Sequence, residues 1–126
     1  MPGRIVMEEP LSVLDVALCD EYLRGERAIE AKSRFIREEL PRGCLCRKVI
    51  RGHERHYLQW RENGKVRSRY VRAAEVEEVE RGVARRRELE ASIRRVARDL
   101  KKIEKVVGRE SIERFRRENE LGPMGD

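Results

Sequence analysis

"HYLQWRENGKVRSRYV", residues 56–71, decides the fold. At its centre stands Asn63-Gly64, the strongest short signal for a two-residue hairpin, because both turn positions need positive φ. A turn there sets Glu62 opposite Lys65, Trp60 opposite Arg67, Leu58 opposite Arg69 and Tyr57 opposite Tyr70. Period two then sorts the ribbon into two faces. One carries His56, Leu58, Trp60, Arg67, Arg69 and Val71; the other carries Tyr57, Gln59, Arg61, Val66, Ser68 and Tyr70. Either face is apolar enough to be the half-buried one. The expectation favours the face with Tyr57, Val66 and Tyr70 as the core face. Trp60 would then lie beside Arg67 on the open side, within reach of a cation–π contact.

Upstream, residues 43–51 (GCLCRKVIR) alternate weakly, and Gly52 begins a turn. Strands are therefore expected over 43–51, 55–62 and 65–71, in one antiparallel sheet. Before the sheet, Ser12 can cap a helix, with Asp15 as a short capping-box partner and Leu11 and Val16 spaced as a hydrophobic staple. Leu14, Leu18, Tyr22, Ile29, Ile36 and Leu40 follow steps of three and four, with Gly25 on the same stripe as a kink or a close-packing point. Pro41 ends that helix, since the residue before proline avoids helical geometry. The spacing predicts a helix over 12–40, with residues 1–10 as a flexible arm.

After the sheet a long helix is predicted over 74–107, opened by Glu75, Glu77, Glu78 and Glu80, where the helix dipole favours negative charge. Val76, Val79 and Val83 form one stripe; Leu89, Ile93, Val96, Leu100, Ile103 and Val107 form another in heptad spacing. The two are out of phase across Arg85-Arg86-Arg87. Gly108 is a natural stop, and a short helix over 111–121 can fold back through Ile112 and Phe115. So long a helix needs more than a small sheet to cover it, and the first helix is its partner. The expected fold is α+β: a three-stranded antiparallel sheet inserted between two long helices that form an antiparallel helical hairpin, plus a short C-terminal helix. The length of 126 residues suggests a single domain. The surplus heptad stripe leaves room for homodimerisation through its far half.

Charge is unusual in place more than in amount. Charged residues are 43% of the chain and the net charge is +6. Within residues 42–72, ten Lys or Arg stand against two Glu, a net +8, so the rest of the chain is slightly acidic. Such local excess concentrates anions near that surface. Arg makes up 24 of the 30 basic residues; codon bias explains Arg over Lys, but not the near absence of Glu from one segment. The periodic apolar residues argue against disorder.

Several function classes find no support. The start, MPGRIVMEEP, lacks the apolar core of a secretory peptide, and no apolar run approaches a membrane span. Three sparse cysteines fit a reducing compartment, so a cytoplasmic protein with no membrane contact is expected. Cys44, Cys46, His53 and His56 have the wrong spacing for a zinc finger, and an extended strand sets Cys44 roughly 25 Å from the turn near His53. Cys44 and Cys46 are expected as small buried hydrophobes and Cys19 as a core residue. Asp15, Asp20, Asp99 and Asp126 are scattered, and no nucleophile elbow, phosphate loop or metalloprotease motif is present. The expectation is a protein that is not an enzyme and needs no cofactor or metal.

The remaining signal is the basic ribbon. Arg47, Lys48, Arg51, Arg55, Arg61, Lys65, Arg67, Arg69 and Arg72 can hold phosphates or read bases, with Trp60 or Tyr70 as a packing or stacking group. Lys65, Arg61, Arg67 and Arg69 are the principal expected contacts. A sheet of this size fits a major groove, and its aromatics could instead stack unpaired bases. The bland alternative is a solvated face that protects a sheet edge.

The stretches LPRGCLCRKVIRG, RHYLQWRENGKVRSRYV and EVEEVERGVARRRELEASIRRVARDLKKIEKVV together resemble a widespread family of small bacterial and archaeal proteins of unknown function. The resemblance spans residues 40–107 and rests on Gly43, Gly52, Tyr57, Leu58, Gly64, Lys65, Ser68 and Tyr70. It implies a Tyr-rich strand, a GK turn, an S-x-Y strand and a coiled-coil-like tail, and no activity. A looser likeness, in architecture and one turn, is to the three-stranded arm-binding domain of tyrosine recombinases, which lies on DNA. Together these lead to a nucleic-acid-binding protein, for DNA or RNA, that uses its basic ribbon. The rival is a protein-interaction or inhibitory accessory module of mobile-element or anti-defence type, acting on a protein or nucleoprotein complex through its helices.

Overall fold

The computed structural model describes residues 9–120; the expected arm over 1–10 and the end of the last expected helix fall largely outside them. The element order is α1 (Val13–Glu39), β1 (Cys44–Ile50), β2 (His53–Glu62), β3 (Lys65–Val71), a 3₁₀ turn (Ala73–Glu75), α2 (Val76–Val107) and α3 (Arg109–Glu120). The sheet runs β1-β2-β3, antiparallel throughout. The α+β class and the order of elements are those expected. Contacts divide the described chain into two compact units. One runs up to Ala28 and resumes at Val96; the other is Ile29–Arg95. Both long helices pass through the two.

The unit Ile29–Arg95 holds the sheet. Asn63 (φ 50°) and Gly64 (φ 77°) make the expected turn, and the register pairs Glu62 with Lys65, Trp60 with Arg67 and Tyr57 with Tyr70. The first hairpin is equally tight. Arg51 (φ 53°) and Gly52 (φ 79°) turn the chain so that β2 starts at His53, two residues earlier than predicted. Gly43 lies hard against β2: a Cβ there would stand 1.9 Å from the Gln59 carbonyl oxygen, and its φ is 99°. That close approach anchors the start of β1.

The buried face of the sheet is the opposite of the favoured one. Leu58 (4% exposed) and Val71 (1%) pack with Val79 and Val83, and Leu45, Trp60 and Val76 close around them. Tyr57, Val66 and Tyr70 face outward. The physical reason is shape and polarity: branched aliphatics fill the space above the valine stripe of α2, whereas each tyrosine keeps a hydroxyl that needs water or a partner. Burial of Leu58 and Val71 contributes about 1.5–3 kcal/mol each. Cys44 is exposed and Cys46 half-buried on the outward face, so neither is the buried hydrophobe expected. At the phase shift in α2, Arg86 occupies the stripe between Val83 and Leu89. Its side chain is mostly covered and pairs with Glu90 at 3.6 Å. Within this unit the helices run antiparallel: Lys32 Nζ donates to Ser92 Oγ at 2.6 Å, and Pro41 rests on Gly82, where a Cβ would meet it at 2.6 Å.

The other unit is built on helices. Ser12 Oγ caps α1 by accepting the Asp15 N–H at 3.0 Å, as predicted. Cys19 and Leu23 are buried with Ile112 and Phe115 of α3, and Leu11, Tyr22 and Val107 pack around them. The fold-back through Ile112 and Phe115 and the core place of Cys19 are as expected. The α1 stripe is rotated from the predicted one: Leu14 is 63% exposed and Cys19 and Leu23 take the centre, because α3 packs beside the expected face. Gly25 serves close packing: a Cβ there would meet Leu100 at 2.5 Å. Gly108 (φ 86°) ends α2, its N–H donating to Glu104 O at 2.8 Å. Arg116 grips Glu26 through two hydrogen bonds of 2.8 and 3.1 Å. Burial pushes the Cys19 thiol above its ordinary pKa, with the Asp15 carboxylate adding to it. The Tyr22 phenol is raised by burial, then by Glu104 and Glu26.

Two outcomes follow. Gly43→Ala is expected to cost about 2–4 kcal/mol in urea unfolding, combining backbone strain with a forced clash; an unchanged midpoint would show that β1 does not depend on that approach. In native protein, Cys44 and Cys46 should be alkylated at neutral pH while Cys19 waits for denaturant. Mass spectrometry reads which thiols are labelled, and early labelling of Cys19 would contradict its burial.

Candidate nucleic-acid interface

The register divides the basic ribbon between two faces. Partners across the strands share a face, so the pairs Leu45–Leu58 and His56–Val71 mark the side turned to α2. Arg47, Trp60, Lys65, Arg67 and Arg69 belong to that side. Lys48, Arg55 and Arg61 belong to the outward side. Arg51 sits in the first turn and Arg72 just beyond β3. The expected contact set is therefore not one surface.

Acidic residues divide just as sharply. Both sheet glutamates, Glu54 and Glu62, lie on the helix side. Arg47 pairs with Glu54 at 2.7 Å; Arg67 and Arg42 flank Glu62 at 3.6 and 3.9 Å. Arg72 meets Glu75 at 3.8 Å. Arg69 borders an open cleft of about 340 Å³ with Glu39, Glu75 and Glu78 on its walls. These exposed pairs contribute little stability, but each sets a negative charge beside an arginine on that side. Trp60 is occupied by the core cluster. Arg67 and Arg69, expected as principal contacts, thus lie on the side that holds the sheet's carboxylates.

Among the described residues of the sheet, none on the outward face carries a carboxylate. Lys48 and Arg55 stand opposite each other near the first turn, and Arg61 stands opposite Val66 near the second. Among the described residues none of these three forms an ion pair. Between them lie Tyr57 and Tyr70, edge to face with centroids 5.6 Å apart and planes at 65°. Lys48 Nζ sits 5.2 Å from the centre of the Tyr57 ring; the cation–π contact is here, not between Arg67 and Trp60. Tyr70 is 45% exposed and Val66 62%. Gln59 and Ser68 pair beside the rings, and Gln59 Oε1 accepts from the Cys46 thiol at 3.3 Å. Cations at both ends, aromatic rings in the middle and polar groups beside them form a surface suited to an anionic polymer with planar groups.

Tyr57, Gln59 and Ser68 were absent from the predicted site. A signal for them existed in the sequence: Glu54 and Glu62 share the parity of Leu58, so the other parity was free of acid whichever face was buried. Among the described residues no three His, Cys, Asp or Glu side chains gather as a metal site, and no helix is long and apolar enough to cross a membrane.

Residues 18–81 match the DUF6788 family, a domain of unknown function. The chain belongs to that family. The DUF6788 match takes in most of α1, the whole sheet and the start of α2, so it begins and ends earlier than the resemblance over 40–107. No curated protein and no solved structure matches the chain.

Proposed function

We propose that this protein is a non-enzymatic nucleic-acid-binding protein whose contact surface is the outward face of its sheet. The observation that carries this reading is the separation of charge between the faces: Lys48, Arg55 and Arg61 stand without a carboxylate, while Glu54 and Glu62 are confined to the other side. Phosphates bind such a surface by releasing counterions, and a rigid three-stranded frame holds the cations at fixed spacing. The likeness to the arm-binding domain of tyrosine recombinases belongs to the same reading.

A second reading has support of its own. Val13, Leu14 and Val16 crowd one turn of α1 in contact with water, and Val106 is exposed on the far half of α2. Such residues suit a protein partner or a second copy of the chain, as an accessory or inhibitory module would require. Capture of one defined partner after nuclease treatment would favour it.

Two triple variants test the first reading. Lys48→Ala/Arg55→Ala/Arg61→Ala is expected to weaken binding to a labelled oligonucleotide at least about tenfold and to reduce the slope of log affinity against log salt by about two. Arg47→Ala/Arg67→Ala/Arg69→Ala should change affinity no more than about threefold, since Arg47 and Arg67 are paired with glutamates and Arg69 lines a cleft that holds three more. Anisotropy across a salt series reads both, and the reverse ranking would assign the contact to the helix side.

A further inference from the structure

We infer that the outward face takes a single strand, with one unpaired base stacked on the Tyr70 ring and the flanking phosphates held by Lys48 and Arg55 on one side and Arg61 on the other. This rests on the nucleic-acid reading and names its ligand class.

Tyr70 follows from its neighbour. Val71 is 1% exposed and closes the core, so the adjacent side chain must point the other way. At that position the chain places a large ring, nearly half of it in water. Tyr57 cannot play the same part. It is half-buried, it packs against the Tyr70 ring with centroids 5.6 Å apart, and the Lys48 ammonium lies over it at 5.2 Å. Tyr57 therefore braces Tyr70, and Tyr70 offers the platform. Every base has a π-face, so such a platform is tolerant of sequence.

A duplex would use this face poorly. Its bases are covered above and below by their neighbours, and it meets a protein with phosphates or with base edges. Phosphates would engage the cations but would press Tyr70 and Val66 against a charged backbone. Edge readout needs planar donors and acceptors in the middle of the face, where this protein has two rings, Val66, Ser68 and a single amide, Gln59. An unpaired strand satisfies all three zones. Arg55 and Arg61 are six residues apart on β2, about 20 Å. That length lets a strand cross the rings with phosphates reaching cations at either end. Gln59 and Ser68 stand where the edge of a stacked base would fall.

The test uses the full chain with labelled oligothymidine and oligouridine of about ten nucleotides, a length within the usual span of one such surface, and a hairpin duplex of matched charge. The single strands are expected to bind at least about tenfold more tightly than the duplex. Tyr70→Ala should weaken single-strand binding about 5- to 100-fold with an unchanged salt slope, because no phosphate contact is lost. Tyr70→Phe should keep affinity within about twofold, as the ring face alone stacks, and duplex binding should ignore both changes. Equal or tighter duplex binding, or indifference of the single strand to Tyr70→Ala, would overturn the inference. If affinity then still fell with the Lys48/Arg55/Arg61 triple variant, the nucleic-acid reading would stand while the single-strand assignment failed. Binding of none of the three ligands would overturn both. Thermal unfolding of each variant, together with the Phe substitution, separates lost stacking from lost fold.

Discussion

Leu58 and Val71 pressed against Val79 and Val83 hold the sheet to α2, and the rest of the ribbon takes its orientation from that contact. Side chains alternate strictly along a strand, so burying one parity sends the other to water. With Leu58 inside, Arg55, Tyr57, Gln59 and Arg61 must be outside. With Val71 inside, Tyr70 and Ser68 must be outside. Two aliphatic residues thereby decide which of ten expected contact residues share a surface. The tight turns at Arg51-Gly52 and Asn63-Gly64 transmit the choice across all three strands, because neither leaves a residue of slack in the register.

The electrostatic character of the protein follows from the same choice. A segment of net charge +8 would be a diffuse basic patch if its residues all faced one way. Packing instead folds its two glutamates, and the cleft glutamates near Arg69, onto the helix side. What remains outward is a smaller charge with no local opposition, set around two rings. The potential at a surface follows how charge is distributed over it as well as the net charge. In the second unit α3 closes over Cys19 and Leu23, and Arg116 pairs with Glu26 between helices.

Much of this was legible from residues alone. Asn63-Gly64 announced the hairpin and its register; Ser12, Pro41 and Gly108 marked helix ends; Ile112 and Phe115 showed the last helix folding back. Each of these is local chemistry with a single structural meaning. The buried face was not legible, because both parities carry enough apolar surface and the deciding factor is the fit of branched side chains onto the Val76–Val79–Val83 stripe, a tertiary property. The first hairpin is less legible because arginine is an unusual occupant of a left-handed turn position. The α1 stripe differs because α3 covers Cys19 and Leu23, beside the line of Leu14, Leu18 and Tyr22, and that packing is a tertiary property too. The candidate site moved with the face. Arg67 and Arg69 looked strongest as a run along one strand, while Lys48, Arg55 and Arg61 come from two strands and gather only across the sheet.

The ring signals of the sheet test the central claim most directly, for they report which face meets a ligand. A titration of the isotope-labelled protein with a short oligonucleotide would follow the aromatic resonances of Tyr57 and Tyr70 beside the Trp60 indole N–H. The account predicts that both tyrosine rings shift, Tyr70 the more, while Trp60 stays in place under the sheet. A moving Trp60 with stationary tyrosines would contradict it and return the site to the helix side.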